Sequence, residues 1–350
     1  MRPGHLEALA PVCPRCLHGR GVESPVRLAT VAEHAGEHVL QGVLHCSDPA
    51  CWLEFPILDG VPVLVPDPRT TVSAALAEVT AREDLAPVME GMLDDIAGPG
   101  TPRATARYHL SLYGEAHYAD WSGLAAEAAL DRLAREALAL MGPAGAPALD
   151  LGCGVGRGAY ALAARTEGPV LGADLSLPML RMAQTLMIRG EARWPRRRTG
   201  IVHSAETARM PEEAAALAPR IDFWAMEAMA LPFPAGRFGA ATALNLVDCI
   251  AGPANMLSEL ARVLVPGARG VLTTPYDWSG QATALENWLG GHSPRGPMGG
   301  DGAAVLSATL ASLGLAETAR AEGEWTLRLH DRARMTYGVD MVALRRETPA

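Results

Sequence analysis

The feature that most constrains the fold is a glycine-rich turn at residues 152–158, which directly follows a short apolar segment at 146–151. An apolar segment that runs into such a turn is typical of a buried strand followed by a helix. Glycine has no side chain, so Gly152, Gly154 and Gly156 allow a nucleotide-like ligand to approach the backbone closely. The segment therefore predicts an α/β fold with a ligand bound beside this turn.

Two carboxylates accompany the turn and narrow the choice of ligand. Asp150 lies two residues before the first glycine, and Asp174 ends the next predicted strand, 22 positions beyond Gly152. A carboxylate at that distance can accept hydrogen bonds from both ribose hydroxyls. The dinucleotide fingerprint would place its third glycine at the position of Arg157, whereas here that glycine comes one residue earlier. The pattern fits S-adenosylmethionine better than NAD.

Four segments in family order over about residues 147–246 resemble the motifs of class I methyltransferases. Beyond the turn they are 174–183, which begins Asp-Leu-Ser-Leu-Pro, 221–234, which contains Ala-Met-Ala-Leu-Pro-Phe, and 237–245. The resemblance implies a Rossmann-like fold, with a mostly parallel seven-stranded sheet and helices on both faces, and direct in-line methyl transfer. Glu227 takes the place of the aspartate that normally binds the adenine amine. The candidate cofactor-binding residues are Asp150, Gly152, Gly154, Gly156, Asp174, Leu175, Glu227, Ala228 and Asn245.

Four of the six cysteines lie in two short pairs near the N-terminus. Two such pairs joined by a longer excursion are typical of a zinc ribbon, because one metal ion joins turns that could not bury a sufficient core alone. The spacing predicts zinc bound by Cys13, Cys16, Cys46 and Cys51, with His45 as an alternative to Cys46. Reduced structural cysteines, or a redox pair at Cys13 and Cys16, are the other interpretations.

The segment after the second cysteine pair resembles the small zinc-ribbon proteins that activate tRNA, ribosomal and protein methyltransferases. Phe-Pro-Ile and Asp-Gly-Val-Pro within residues 55–62 carry the likeness, although four residues separate Cys46 from Cys51 where that family has two. The resemblance implies a small α+β zinc-ribbon domain at 1–68 that packs on the methyltransferase domain of the same chain. Over residues 1–66, seven acidic residues face four arginines, a balance that suits a scaffold better than a phosphate-binding surface.

Composition excludes some functions. The net charge is −9 and all 30 basic residues are arginine, so lysine-dependent Schiff-base and P-loop chemistry are excluded and nucleic acid is disfavoured as a partner. No apolar run approaches the roughly 18 to 20 residues that span a bilayer, and the first residues lack a signal-peptide core. We therefore expect a cytoplasmic globular protein with no membrane partner.

Residues 69–123 are predicted to link the ribbon to a catalytic domain at 124–350. Apolar residues at helical spacing over 70–97, followed by Gly-Pro-Gly-Thr-Pro, predict one helix and then a break. Residues 108–121 hold three of the six tyrosines. This tyrosine-rich segment is either an amphipathic stretch packed on the catalytic domain or a lid over a substrate pocket.

Three later segments, 245–250, 274–278 and 286–292, resemble the mercaptohistidine N-methyltransferases of thiol-histidine biosynthesis. They read Asn-Leu-Val-Asp, Thr-Pro-Tyr-Asp-Trp and, within the last, Trp-Leu-Gly-Gly. Those enzymes lack a zinc ribbon, so we expect only the substrate class, a small polar metabolite methylated on nitrogen, oxygen or sulfur. The candidate catalytic residues are His117, Tyr118, Asp248 and Tyr276, and further pocket candidates are Tyr113, Asp277 and His292. Purely structural roles for these side chains are the alternative.

Two other functions stay open. Methylation of rRNA or tRNA bases is favoured by an arginine cluster around Trp194, in a predicted insertion after the second strand, because arginines can hold phosphates while an aromatic ring stacks a base. The same cluster fits a solvated loop paired with surface carboxylates. A non-catalytic protein that binds cofactor, or a partner through the ribbon, is the third possibility. The arginines of the cluster are Arg189, Arg193, Arg196, Arg197 and Arg198.

Overall fold

The computed structural model describes residues 1–81 and 85–348. Its first elements are α1 (Pro3–Leu9), α2 (Pro14–Arg20), β1 (Val26–Ala35), β2 (His38–Cys46), β3 (Glu54–Leu58) and β4 (Val61–Pro62). The four strands form an antiparallel sheet in chain order. Both helices begin with proline, whose fixed φ suits the first helical position and whose missing N–H is not needed there.

Four helices follow: α3 (Pro68–Ala74), α4 (Leu76–Val79), α5 (Pro87–Ala97) and α6 (Pro102–Tyr118). The prediction of one helix over 70–97 is wrong, because α3 and α4 are short separate pieces and α5 begins only at Pro87, a residue that starts helices rather than continuing them. Residues 82–84 of that prediction lie outside the described residues. The tyrosine-rich segment is mostly the C-terminal half of α6. Among the described residues, no helix combines the length and apolarity needed to cross a bilayer.

The rest of the chain forms a seven-stranded sheet with its helices and an inserted hairpin. Its elements are α7 (Ala129–Met141), β5 (Ala148–Leu151), α8 (Arg157–Ala163), β6 (Val170–Asp174), α9 (Leu177–Arg189), β7 (Glu191–Thr199), β8 (Val202–Arg209), α10 (Glu212–Ala215), β9 (Ile221–Ala225), β10 (Phe238–Leu244), α11 (Pro253–Val263), β11 (Leu264–Thr274), α12 (Gly302–Ser312), β12 (Leu315–His330) and β13 (Ala333–Arg346). The strand order is β12-β13-β11-β10-β5-β6-β9. Only the two pairings of β13 are antiparallel. All four residues of β5 are buried, as expected for a parallel strand covered on both faces. The predicted Rossmann-like fold is confirmed.

The N-terminal sheet joins the edge of this larger sheet. Val63 forms a parallel bridge with Ala225 of β9, and the backbone N–H of Leu64 donates to the Ala225 carbonyl at 2.9 Å. Residues after β4 therefore cover an edge that β9 would otherwise expose to other strands. Side chains from both parts share one apolar core, including Leu9, Leu44, Phe55, Leu231 and Phe233.

The predicted arginine-rich insertion is not an open loop but the antiparallel hairpin of β7 and β8. Trp194 is only 2% exposed and packs against α6, so its ring is not available to stack a base. Arg196 donates to both carboxylate oxygens of Glu115 on α6, at 2.6 and 3.3 Å, and Arg328 of β12 lies 3.3 Å from the same carboxylate. Arg198 pairs with a carboxylate after β12 at 3.1 Å. These arginines therefore hold elements together.

Candidate active site

The glycine-rich turn follows the carboxyl end of β5 and leads directly into α8. Gly152 and Gly154 have φ angles of 73° and 55°, which residues with side chains rarely adopt. The N–H of Gly154 donates to Oδ2 of Asp174 at 2.9 Å and so ties the turn to the end of β6. At Gly156 a Cβ would lie 2.7 Å from the ring of Phe223, so core packing requires this glycine.

A cavity of about 210 Å³ lies beside the turn, where β5, β6 and β10 end. The sequence-predicted residues that line it are Tyr113, His117, Asp150, Gly152, Gly154, Asp174 and Asn245. The predicted residues outside its lining are Gly156, Leu175, Glu227, Ala228, Tyr118, Asp248, Tyr276, Asp277 and His292. The lining residues that sequence reasoning missed are Leu130, Cys153, Gly158, Met179, Leu244, Leu246, Cys249 and Trp325.

Asp150 is a buried carboxyl whose hydrogen bonding is incomplete. Its Oδ1 accepts a hydrogen bond from the Thr242 hydroxyl at 2.7 Å, whereas its Oδ2 is buried without a partner. Burial raises the pKa of Asp150 to about 7, against the opposing effect of the Thr242 hydrogen bond. A Cβ at Gly158 would lie 2.6 Å from Oδ2. Glycine at 158 therefore leaves this oxygen room at the start of α8.

Asn245 also has an unpaired polar atom. The residue has a φ of 53°, and Thr273 fixes it from two sides by accepting from its backbone N–H at 2.9 Å and donating to its Oδ1 at 2.7 Å. Its Nδ2 is buried without a partner. A cavity lined by both Asp150 and Asn245 thus offers one unpaired acceptor and one unpaired donor.

Asp174 is held in place by backbone groups. Its Oδ1 accepts from the N–H groups of Leu175 and Ser176 at 2.7 and 2.9 Å, and its Oδ2 accepts from Gly154. Burial raises the pKa of Asp174, while these hydrogen bonds favour the ionised form and oppose that rise. The side chain therefore presents a fixed carboxylate to the cavity.

His117 and Tyr113 reach the cavity from α6. The Nδ1 atom of His117 accepts from the backbone N–H of Arg157 at 3.4 Å, so the proton of the neutral ring is on Nε2. Burial, and secondarily the charge of Arg157, lowers the pKa of His117 to about 3. Burial raises the pKa of the Tyr113 hydroxyl. Both rings are neutral near pH 7, and His117 is a poor proton acceptor there.

The other three predicted catalytic side chains make structural contacts. The Tyr118 hydroxyl, which is fully buried, donates to the Val155 carbonyl at 2.6 Å. The Asp248 carboxylate accepts from Thr274 at 3.2 Å and from the backbone of Asp277 at 2.9 Å. The Tyr276 hydroxyl donates to an Asp340 oxygen at 2.5 Å. Each of these contacts ties the side chain to a neighbouring loop or strand, and a catalytic role for these three residues stays a prediction.

The remaining predicted residues lie at the same edge of the sheet without lining the cavity. Leu175 is 50% exposed directly after β6, and Glu227 and Ala228 are half-buried just after β9. The backbone N–H of Met226 donates to the Asp174 carbonyl at 2.9 Å, which places that segment beside the end of β6. His292 is exposed in the long loop after β11.

The four N-terminal cysteines converge on one point. Their Sγ atoms all lie within 4.8 Å of one another, and the Cys13–Cys51 and Cys16–Cys46 sulfur pairs are 3.9 and 3.6 Å apart. A tetrahedral zinc ion with Zn–S bonds near 2.3 Å requires sulfur separations of about 3.8 Å. The four residues between Cys46 and Cys51 form a turn in which the Cys51 N–H donates to the Asp48 carbonyl at 3.0 Å, and this turn brings the two cysteines together. The donor set fits zinc.

Residues 149–272 match a family model described as a methyltransferase domain. The chain is also similar to a SAM-dependent methyltransferase from Methanosarcina mazei, with 18% identity over 59% of this chain and 94% of that chain and a TM-score of 0.38. It is similar to the YcgJ protein of Bacillus subtilis, with 15% identity over 63% of this chain and 99% of that chain and a TM-score of 0.38. A third similar chain comes from the complex between the Haloferax volcanii Trm112 methyltransferase activator and an inferred methyltransferase. It has 12% identity over 71% of this chain and 96% of that chain, with a TM-score of 0.42.

The structural likenesses are too distant to carry an argument, so the assignment relies on the matched segment. That segment contains the glycine-rich turn, Asp150 and Asp174, and most of the residues that line the cavity. Residues 149–272 match a methyltransferase domain, and this match together with the Rossmann-like fold indicates an S-adenosylmethionine-dependent methyltransferase.

Proposed function

We propose that this enzyme transfers a methyl group from S-adenosylmethionine to a nitrogen, oxygen or sulfur atom of a small polar metabolite. The observation that carries the proposal is the pair of unpaired buried atoms, Oδ2 of Asp150 and Nδ2 of Asn245, in residues that line one cavity. Buried polar atoms are nearly always hydrogen-bonded in folded proteins. An amino-acid group supplies both missing partners, because its ammonium donates and its carboxylate accepts.

The chain's own residues would then have separate tasks. Asp150 and Asn245 would hold the amino-acid end of the cofactor, and Asp174 would accept from its ribose hydroxyls. The bound cofactor supplies an activated methyl group on a sulfonium. Tyr113 of α6 and Trp325 of β12 also line the cavity and would exclude water from the reacting atoms.

The charge of the cavity supports a small acceptor over RNA. Among the described residues, its lining contains two carboxyls and one neutral histidine but no arginine, so these residues offer a phosphate group no cationic partner. Two arginines of the β7–β8 hairpin, Arg196 and Arg198, pair with carboxylates, and Trp194 is buried and so is not available to stack a base beside them. A small neutral or cationic acceptor fits this environment.

We also propose that Cys13, Cys16, Cys46 and Cys51 bind one structural zinc ion, with Cys46 rather than His45 as the third ligand. The tetrahedral sulfur spacing supports this assignment, and Arg20 donates to the Cys16 sulfur at 2.8 Å, which favours a thiolate. The domain boundaries 1–68, 69–123 and 124–350, and a cytoplasmic location, remain predictions from the sequence.

Incubation of the protein with methyl-labelled cofactor and separate small-molecule and RNA extracts tests the proposed reaction. We expect label in the small-molecule fraction, and Asn245→Ala should reduce both cofactor binding and transfer. Label in RNA would instead support base methylation. Cofactor binding without transfer to either pool would support the non-catalytic alternative.

A further inference from the structure

A second cavity, of about 230 Å³, lies between α5, α6 and the turn of the β7–β8 hairpin. It shares no lining residue with the cofactor cavity. The two sites are nevertheless connected, because Tyr108 of α6 lines this cavity and Tyr113, five residues later, lines the other. Five residues correspond to a rise of about 7.5 Å along the helix.

Positive charge is concentrated at this cavity in a protein whose net charge is −9. Three arginines line it, against one carboxylate. The side chain of Asp94 is 93% buried, and its carboxylate lies 2.9 Å from both Arg103 and Arg107. The carboxylate of Glu90 lies 3.6 Å from Arg107. Two carboxylates thus balance two arginines, and Arg197 carries the third positive charge.

Arg197 has donors to spare. Its Nε donates to the Gly200 carbonyl at 2.6 Å, and its guanidinium lies 5.5 Å from the centre of the Tyr108 ring. Among the described residues, neither Nη atom of Arg197 has a hydrogen-bond partner. A guanidinium that is fixed at Nε and stacked near a ring presents its outer fork to an oxyanion.

His203 adds an acceptor to the same cavity. Its side chain is 92% buried, and its Nδ1–H donates to the Ile201 carbonyl at 2.9 Å. Burial lowers the pKa of His203, against the opposing effect of the Asp94 carboxylate 3.5 Å from Nδ1, and so favours the neutral ring. In the neutral ring Nε2 is an unprotonated acceptor, and this atom is buried without a partner. A ligand that satisfies both Arg197 and His203 must accept hydrogen bonds and also donate one.

We propose that this second cavity binds a small oxyanion that carries a hydroxyl group, such as hydrogen phosphate or a hydroxycarboxylate. The oxyanion oxygens accept from Arg197, and the hydroxyl donates to Nε2 of His203. A simple carboxylate satisfies only the first of these groups and binds more weakly.

Isothermal titration of the full-length protein with inorganic phosphate, glycolate and acetate tests the site. We expect phosphate or glycolate to bind in the millimolar range, about tenfold more tightly than acetate, because acetate cannot donate to His203. Tighter binding of phosphate would identify the ligand class as a phosphate, and tighter binding of glycolate would identify it as a hydroxycarboxylate. Equal binding of all three anions, or no binding, overturns the proposal.

Arg197→Gln should weaken binding of the preferred anion about tenfold. Arg198→Gln is the matched control, because it makes the same change one residue away in a side chain that pairs outside the cavity. Equal effects of the two variants would reduce the site to general electrostatics and overturn it. His203→Gln provides the same comparison should Arg197→Gln fail to fold. Competition between the anion and S-adenosylhomocysteine would place the anion in the cofactor cavity and also overturn the proposal.

Discussion

Cofactor affinity should depend on pH through Asp150. Burial raises the pKa of this carboxyl to about 7 in the free protein, so it is largely protonated at pH 6 and largely ionised at pH 8. A cationic ammonium group beside Oδ2 requires the ionised form. Binding at low pH must therefore expel a proton, and affinity falls as the pH falls through 7.

The magnitude follows from the same pKa. With a pKa of about 7, roughly one carboxyl in eleven is ionised at pH 6 and roughly ten in eleven at pH 8. The dissociation constant should therefore rise about tenfold between pH 8 and pH 6, which corresponds to about 1.4 kcal/mol. S-adenosylhomocysteine is the suitable ligand, because it keeps the ammonium group but lacks the sulfonium charge. Calorimetry in buffers of different ionisation enthalpy would also detect the released proton.

Two variants decide whether Asp150 is responsible. Asp150→Asn should bind more weakly at pH 8 and lose most of the pH dependence, while any residual slope belongs to Asp174, whose pKa burial also raises. Asp95→Asn makes the same chemical change at an exposed position on α5 and should keep the full slope. An unchanged dissociation constant from pH 6 to pH 8 in the unmodified protein would refute the reasoning.

Three further predictions concern the rest of the molecule. Metal analysis should find about one zinc per chain and Cys46→Ser should remove it, whereas Cys249→Ser should retain it; zinc retained by the first variant would exclude the four-cysteine site. Glu115→Gln removes the carboxylate between two arginines, so it should lower the free energy of unfolding by about 2 kcal/mol and weaken cofactor binding through α6. Glu127→Gln, which breaks an exposed pair, is the control, and equal denaturation midpoints for the two variants would contradict this prediction. His117→Gln should leave the shape of the pH–rate profile between pH 5 and 8 unchanged, because the pKa of His117 is about 3; loss of a limb would identify it as the base.

Local patterns in the sequence were sufficient for the fold class and for part of the cofactor cavity. The apolar strand, the glycines and the following carboxylates lie within about 25 residues, so their spacing specifies a strand, a turn and a helix without long-range information. The prediction of one helix over 70–97 was wrong because apolar spacing indicates helical periodicity but does not show where one helix ends and a proline starts the next.

What the sequence by itself determined is the chemistry carried by short segments: a turn open to a nucleoside, carboxylates at its ends and four cysteines with metal-ligand spacing. Only the tertiary structure decided which distant side chains meet them, since Trp325 and Cys249 reach the cavity from strands and loops far along the chain. It also decided that Tyr118 and Trp194 are buried and that Arg196 and Arg198 of the hairpin pair with carboxylates. Burial and pairing depend on contacts between residues far apart in sequence, and no local spacing encodes them.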